Sequence, residues 1–258
     1  MDEYSGTRLP ASIEAAWGLR ERPGKGPKPG LSLERIVDAA VELASAHGLG
    51  AVSMSRVAGE LGVTTMALYR YVAAKDELLA LMVDVAGGTP PPPASADEGW
   101  RAGLERWARG YLDALRRHPW ILRVPINAPP ATPNQILWLE DGLRSMRDTG
   151  LEEGEKVSVI LLLSGYVRNY ATLSADVLAA AMEPGSTARQ VTFSYGRILA
   201  KLADPQRFPA LHAAISGGAF DDEDQKPGME DEFTFGLERV LDGIETLVRA
   251  RRRAVPTA

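Results

Sequence analysis

Residues 53–75 read Ser-Met-Ser-Arg-Val-Ala-Gly-Glu-Leu-Gly-Val-Thr-Thr-Met-Ala-Leu-Tyr-Arg-Tyr-Val-Ala-Ala-Lys, a string that folds most simply as two short helices broken at a glycine. Ser53 suits the N-cap of the first, because its hydroxyl accepts from an orphan amide of the opening turn. Val57, Ala58 and Leu61 recur at helical spacing along one face. Gly62 tolerates the left-handed backbone that ends a helix, and Val63 tucks back onto the hinge. The second helix opens at Thr64 or Thr65 and turns Leu68 and Val72, four residues apart, inward. Thr65, Met66, Tyr69, Arg70 and Tyr71 are left projecting outward. Such a helix-turn-helix lays its second helix in a DNA major groove. On this stretch alone, a plain helical hairpin with an aromatic surface stays open as the alternative.

The flanks extend the pattern in both directions. Upstream, Ser32 caps a helix reaching about His47, with Ile36, Ala40, Leu43 and Ala44 as its inner stripe and Gly48 as its stop. His47, in the last turn, suits the negative end of that helix. Downstream, a fourth helix over about 75–85 carries Leu78, Leu79, Leu81, Met82 and Val85, an apolar surface wide enough for two partners. The run Gly-Gly-Thr-Pro-Pro-Pro-Pro-Ala-Ser at 87–95 breaks it and marks a domain boundary. Residues 1–30 end in Arg-Pro-Gly-Lys-Gly-Pro-Lys-Pro-Gly, which reads as a flexible arm. Its bases Arg20, Arg22, Lys25 and Lys28 either touch phosphates or a minor groove, or belong to a plain leader. Ile13–Leu19, with Trp17, is a candidate short helix docking elsewhere.

The whole chain has 258 residues, enough for one large or two smaller domains with a sizeable core. Apolar residues make up 45% and charged ones 24%, which places the chain among ordinary globular proteins. The absence of cysteine excludes a disulfide framework and a thiolate metal site. No apolar run is long enough for a bilayer, and Asp2 and Glu3 open no signal peptide, so a cytoplasmic setting is expected. The net charge of −5 argues neither way about nucleic acid. Residues 20–85 balance eight bases against eight acids, and affinity depends on where cations meet phosphates.

Beyond the proline run the expectation is all helix, over a domain spanning 96–251. Trp100, Leu104, Trp107, Tyr111 and Leu115 make one apolar, aromatic face that ends before Pro119. Pro133 opens a helix with Ile136, Leu137, Leu139, Leu143 and Met146 that ends at Gly150. Residues 151–178 form a long helix apolar on most sides, to be covered centrally or at a subunit interface. One or two helices follow over 188–216, interrupted near Pro205 and Pro209. An acidic loop over 220–232 precedes a last helix whose Phe233, Leu237, Val240, Ile244 and Leu247 step by four and three, an apolar seam for helix pairing. Residues 252–258 are expected to be a basic tail.

Taken together, Ile36-Val37-Asp38-Ala39-Ala40 through Gly48, Leu61-Gly62-Val63, Leu68-Tyr69-Arg70-Tyr71-Val72 and Lys75-Asp76-Glu77-Leu78-Leu79 resemble the TetR (tetracycline repressor) family in order, spacing and residue type over 32–82. The resemblance implies an all-α homodimer. A three-helix DNA-binding domain over 31–75 is joined by a linking helix (75–86) to a larger ligand-sensing and dimerisation domain. It also implies a ligand-responsive repressor on a palindromic operator, with an ungated regulator or an activator as the alternative. The family pattern puts Thr65 and Met66 at base edges, where methyl contacts suit thymine. Tyr69, Tyr71 and Lys75 match phosphate positions, as do Ser53 and Ser55. Thr64 and Arg70 complete the DNA-facing set. Ser55 stands where the tetracycline-repressor branch has a base-reading arginine, which implies a different operator. Ala74 replaces the usual capping Ser or Asn, so the turn before Lys75 is expected to be less tightly held.

The layout of the C-terminal half is similar to that branch, which implies a four-helix dimer interface holding Tyr166, Tyr170, Phe233, Leu237, Val240, Ile244 and Leu247. The branch's drug-binding asparagine position falls on Trp107, and its magnesium-binding histidine positions fall on no histidine here. No metal and no cofactor are therefore expected. Trp107, Tyr111, Trp138, Ile160, Ser164 and Val167 are candidates to line a cavity for a small apolar or aromatic effector; equally, the aromatic stripe is core. Catalysis has little to stand on. His47, His118 and His212 share no metal spacing, His118 reads as a helix cap before Pro119, and Gly24–Gly30 lacks a phosphate loop's Lys-Ser/Thr.

Overall fold

In the computed structural model, residues 9–19, 30–93, 95–127, 129–179, 188–220 and 229–254 are described, and among them every regular element is a helix. The chain divides into two compact units, Met1–Leu161 and Leu162–Ala258.

The first unit begins with α1 (Ala11–Ala16), so the arm expected over 1–30 is partly a helix. It docks because Ser12 and Ile13 are both buried, against α2 (Leu33–His47) and α5 (Lys75–Gly87). The four arm bases, Arg20 to Lys28, lie outside the described residues. The hydroxyl of Ser32 accepts from the Arg35 amide at 3.3 Å and caps α2. Its stripe of Ile36, Val37, Ala40, Leu43 and Ala44 is buried. Each large apolar side chain covered in this way stabilises the fold by roughly 1.5–3 kcal/mol.

The proline run is held more firmly than a linker. Trp138 Nε1 donates to the Gly88 carbonyl at 2.8 Å, and Arg106 donates to the Pro91 carbonyl at 2.6 Å. Arg106, on α6 (Trp100–Arg117), also pairs with Glu98 and with buried Asp141 of α7 (Pro133–Ser145). A half-buried guanidinium is stabilised by having its donors engaged. Burial pulls its pKa down, but the hydrogen bonds to Asp141 and Glu98 outweigh this and hold it above the ordinary arginine value. The boundary between the two compact units falls at Leu161, inside α8 (Glu153–Ala179).

Several element ends differ from the expectation. Pro119 does end α6, but Pro119–Arg123 continues as a 3-10 turn burying Trp120 and Ile121. Helix α7 stops at Ser145, five residues before Gly150, because Met146–Asp148 tighten into a turn held by the Thr149 hydroxyl on the Met146 carbonyl at 2.6 Å.

In the second unit, α9 (Ala188–Leu202) and α10 (Pro209–Ser216) flank the predicted break. Helix α11 (Met229–Ala254) begins inside the expected acidic loop and runs into the expected tail. Residues 221–228 and 255–258 lie outside the described residues. The Tyr166 ring stacks on Phe233 at 5.4 Å, its hydroxyl donates to the Phe233 carbonyl at 2.7 Å, and Tyr170 approaches the same ring at 5.1 Å. Phe233, Leu237 and Ile244 are buried within their own chain. Val240 is half-buried and Leu247 is 36% exposed, so these two remain available.

Candidate nucleic-acid interface

The interface rests on two capped helices held at a fixed hinge. In α3 (Met54–Glu60) the Ser53 hydroxyl accepts from the Arg56 amide at 3.2 Å and shares a 3.2 Å hydrogen bond with Ser55. At its end Gly62 takes φ +65°, so that Gly62 N–H donates to the Gly59 carbonyl and Val63 N–H to the Ala58 carbonyl. That paired pattern is a Schellman stop, which satisfies carbonyls a helix end otherwise leaves open. Thr64 then caps α4 (Thr65–Tyr69) through its hydroxyl and the Ala67 amide at 3.3 Å.

Helix α4 is shorter than the inward pair implied. Its last residue is Tyr69, so Arg70 and Tyr71 sit on the turn that follows, and Val72 is anchored beyond the helix. Leu68 and Val72 are fully buried, which fixes the rotation of the segment. Met66 is 73% exposed and Tyr69 46%, the opposite face of the same turn. Ser55, Thr64, Arg70 and Lys75 are exposed as well, while Ser53 and Thr65 are half-buried. Tyr71 departs from the rest, since its hydroxyl donates to the Leu31 carbonyl at 2.9 Å and ties the turn to the start of α2.

The turn before Lys75 is better held than Ala74 suggested. Ala74 provides no side-chain cap, but Glu77, three residues on, accepts from the Ala73 amide at 3.2 Å. The glutamate reaches back past the N-cap to the amide before it, a contact related to the capping box but without its Ser/Thr signature in the sequence. The Ser12 hydroxyl of α1 donates to the same Glu77 oxygen at 2.6 Å, a contact with no local signature.

Two other contacts tie this unit's helices to the 3-10 turn after α6 and to α7. Trp120 Nε1 donates to the Ser45 hydroxyl of α2 at 3.2 Å. Buried Asp84 of α5 accepts from the Asn134 and Gln135 amides at 2.8 and 3.0 Å, and so caps α7 from another helix. A carboxylate there meets both the orphan amides and the positive end of the helix.

Of the sensor-side candidates, the first unit brings together Trp107, Tyr111 and Trp138, with ring centroids 5.5 to 5.7 Å apart. Ile160 adjoins Trp107 across Gly142, where any larger residue would meet both side chains. Trp107 Nε1 donates to the Trp138 carbonyl at 2.8 Å, so both indole donors of the trio are engaged within the protein. Ser164 is half-buried and Val167 fully buried, one and two turns beyond Ile160 on α8.

Comparison with known proteins now adds to this geometry. The profile of bacterial regulatory proteins of the tetR family matches residues 36–82, and that of the tetracyclin repressor-like C-terminal domain matches residues 92–248. The chain is 41% identical over 242 residues to the HTH-type transcriptional repressor DrrR1 of Streptomyces coeruleorubidus, covering 93% of this chain and 87% of that protein. It is 26% identical over 222 residues to the class A tetracycline repressor from transposon 1721 of Escherichia coli, covering 85% and 91% respectively. Apo ActR from Streptomyces coelicolor matches with a TM-score of 0.69 at 25% identity, over 89% of this chain and 100% of that one. ActR in complex with actinorhodin matches with a TM-score of 0.70 at 24% identity, over 86% and 99%.

Proposed function

Because the chain belongs to the TetR family of helix-turn-helix transcriptional regulators, we propose that it is a homodimeric repressor that holds a palindromic operator and releases it to a small apolar or aromatic effector. It is a regulator, as its relatives are, and not an enzyme. The observation that carries the reading is the face of α4, with Leu68 and Val72 fully buried and Met66 and Tyr69 exposed on the other side. In this reading Met66 and Thr65 meet base edges. Tyr69, Arg70, Lys75, Ser53, Ser55 and Thr64 meet phosphates and orient the protein. Two recognition helices then sit roughly 34–36 Å apart on successive major-groove faces. No described helix is long and apolar enough to cross a membrane, and DNA as the partner supports a cytoplasmic setting.

The effector reading rests on Trp107, Tyr111, Trp138 and Ile160. With both indole donors engaged internally, a ligand there binds through ring faces and apolar contact. The actinorhodin complex of ActR supports the general idea that this fold admits a small molecule. Coupling between the two sites is typically worth about 1–3 kcal/mol. The same engaged donors favour a second reading, in which the trio is core and the regulator is not gated at this site. A thermal-shift screen separates them. A compound that raises the melting midpoint and lowers operator affinity supports gating, and Trp107→Ala should abolish both effects. A compound that acts equally on the variant would remove the trio from the site.

A further inference from the structure

We propose that helix α1 is a strap that positions the DNA-reading end of the protein, with Ser12 acting through Glu77 on the first turn of α5 and Trp17 holding the strap to the start of α7. The inference rests on the reading of α4 and Lys75 as the DNA face. The start of α5 lacks an N-cap side chain, because Ala74 has no oxygen to offer. Glu77 compensates by accepting from the Ala73 amide, but an unrestrained glutamate spends much of its time in other rotamers. The Ser12 hydroxyl, fully buried, donates to the engaged Glu77 oxygen at 2.6 Å and removes that freedom. Ser12 is thereby a positioning residue for Lys75 and for the turn that follows α4, and it touches no DNA itself.

The strap's other end is anchored as well. Trp17 Nε1 donates to the Ala131 carbonyl at 2.8 Å, two residues before the proline that opens α7. Asp84, in the last turn of α5, caps that same α7 terminus. The contacts therefore close a ring, running from Ser12 and Glu77 at the start of α5, through Asp84 near its end, to the α7 terminus, and back through Ala131 and Trp17 to α1. A displacement of the α7 terminus pulls on both ends of α5 together. Helix α5 alone would transmit it from one end only.

The test uses the full-length protein and the tightest duplex that the wild type selects from a random library. Ser12→Ala and Trp17→Phe are compared with Lys75→Ala and Tyr69→Ala. The readouts are Kd, its salt slope, and amide hydrogen exchange at 78–80 and 134–136. Ser12→Ala is expected to raise Kd about five-fold, the equivalent of one hydrogen bond, to speed exchange at 78–80, and to leave the salt slope unchanged because no phosphate contact is lost. Trp17→Phe, at a 40% exposed position that does not threaten folding, is expected to speed exchange at both segments and raise Kd about two-fold. Wild-type Kd and wild-type exchange at 78–80 in both variants would overturn the strap. If Ser12→Ala fails to fold, Trp17→Phe decides alone. Unchanged Kd in Lys75→Ala and Tyr69→Ala would overturn the DNA face instead, and exchange at 78–80 would still judge the strap.

Discussion

At the scale of single residues, the polar groups that matter most act at helix ends. Asp84 replaces a missing local cap on α7, where Thr132 occupies the N-cap position but its buried hydroxyl finds no partner among the described residues. Asp84→Ala should lower unfolding stability by about 1–2 kcal/mol, read as a fall in the urea midpoint. Thr132→Val, which removes only an unpaired hydroxyl, should be close to neutral. His118 ends α6 through its backbone, donating to the Ala114 carbonyl, while its Nδ1 is buried without a hydrogen-bond partner among the described residues. Burial first, and then the neighbouring Arg117, hold its pKa below the ordinary histidine value. The unfolded chain therefore takes up this proton at a higher pH than the folded one does. Stability from this site is present above the unfolded pKa and is lost as pH falls through it toward the folded value. Between pH 7 and 5 the wild type should lose more stability than His118→Gln, measured by denaturant titration at each pH.

At the scale of elements, one glycine lets α11 meet the Tyr166 side chain of α8. A Cβ on Gly236 would meet the Tyr166 hydroxyl and ring, so α11 approaches α8 as closely as a bare backbone permits. Gly236→Ala gains about 1 kcal/mol of helix propensity and loses about 1–3 kcal/mol to the overlap; a lower melting midpoint is the expected balance. Local periodicity made much of this level readable. Ser32, Ser53, Gly48 and Gly62 announced the ends of α2 and α3, and the stripes from Ile36 to Ala44 and at Leu68 and Val72 face the core as their spacing implies. What periodicity does not carry is which distant group completes a helix end. Ser12 lies 65 residues from Glu77 and Asp84 lies 50 from Asn134, separations invisible to any window of sequence. The seam on α11 was legible as apolar, but Phe233 and Leu237 look the same in sequence whether their own α8 or a partner covers them.

At the scale of the whole molecule, the account needs two copies of the chain acting on one DNA site. Val240 and Leu247 flank Gly243, above which there is open space, and we propose this face of α11 as the seat of a partner helix. Leu247→Glu should shift the protein from dimer to monomer in sedimentation equilibrium and weaken operator binding by more than ten-fold, because each half-site is then bound alone. The central claim is that the exposed face of α4 reads DNA. Its most direct test is an anisotropy titration of wild type and Tyr69→Ala against the selected duplex and a scrambled one. The account predicts that the wild type prefers the selected duplex by about a thousand-fold or more at physiological salt. It predicts that Tyr69→Ala weakens that complex at least ten-fold with its melting midpoint intact. Equal affinity of the two proteins for the selected duplex would contradict it.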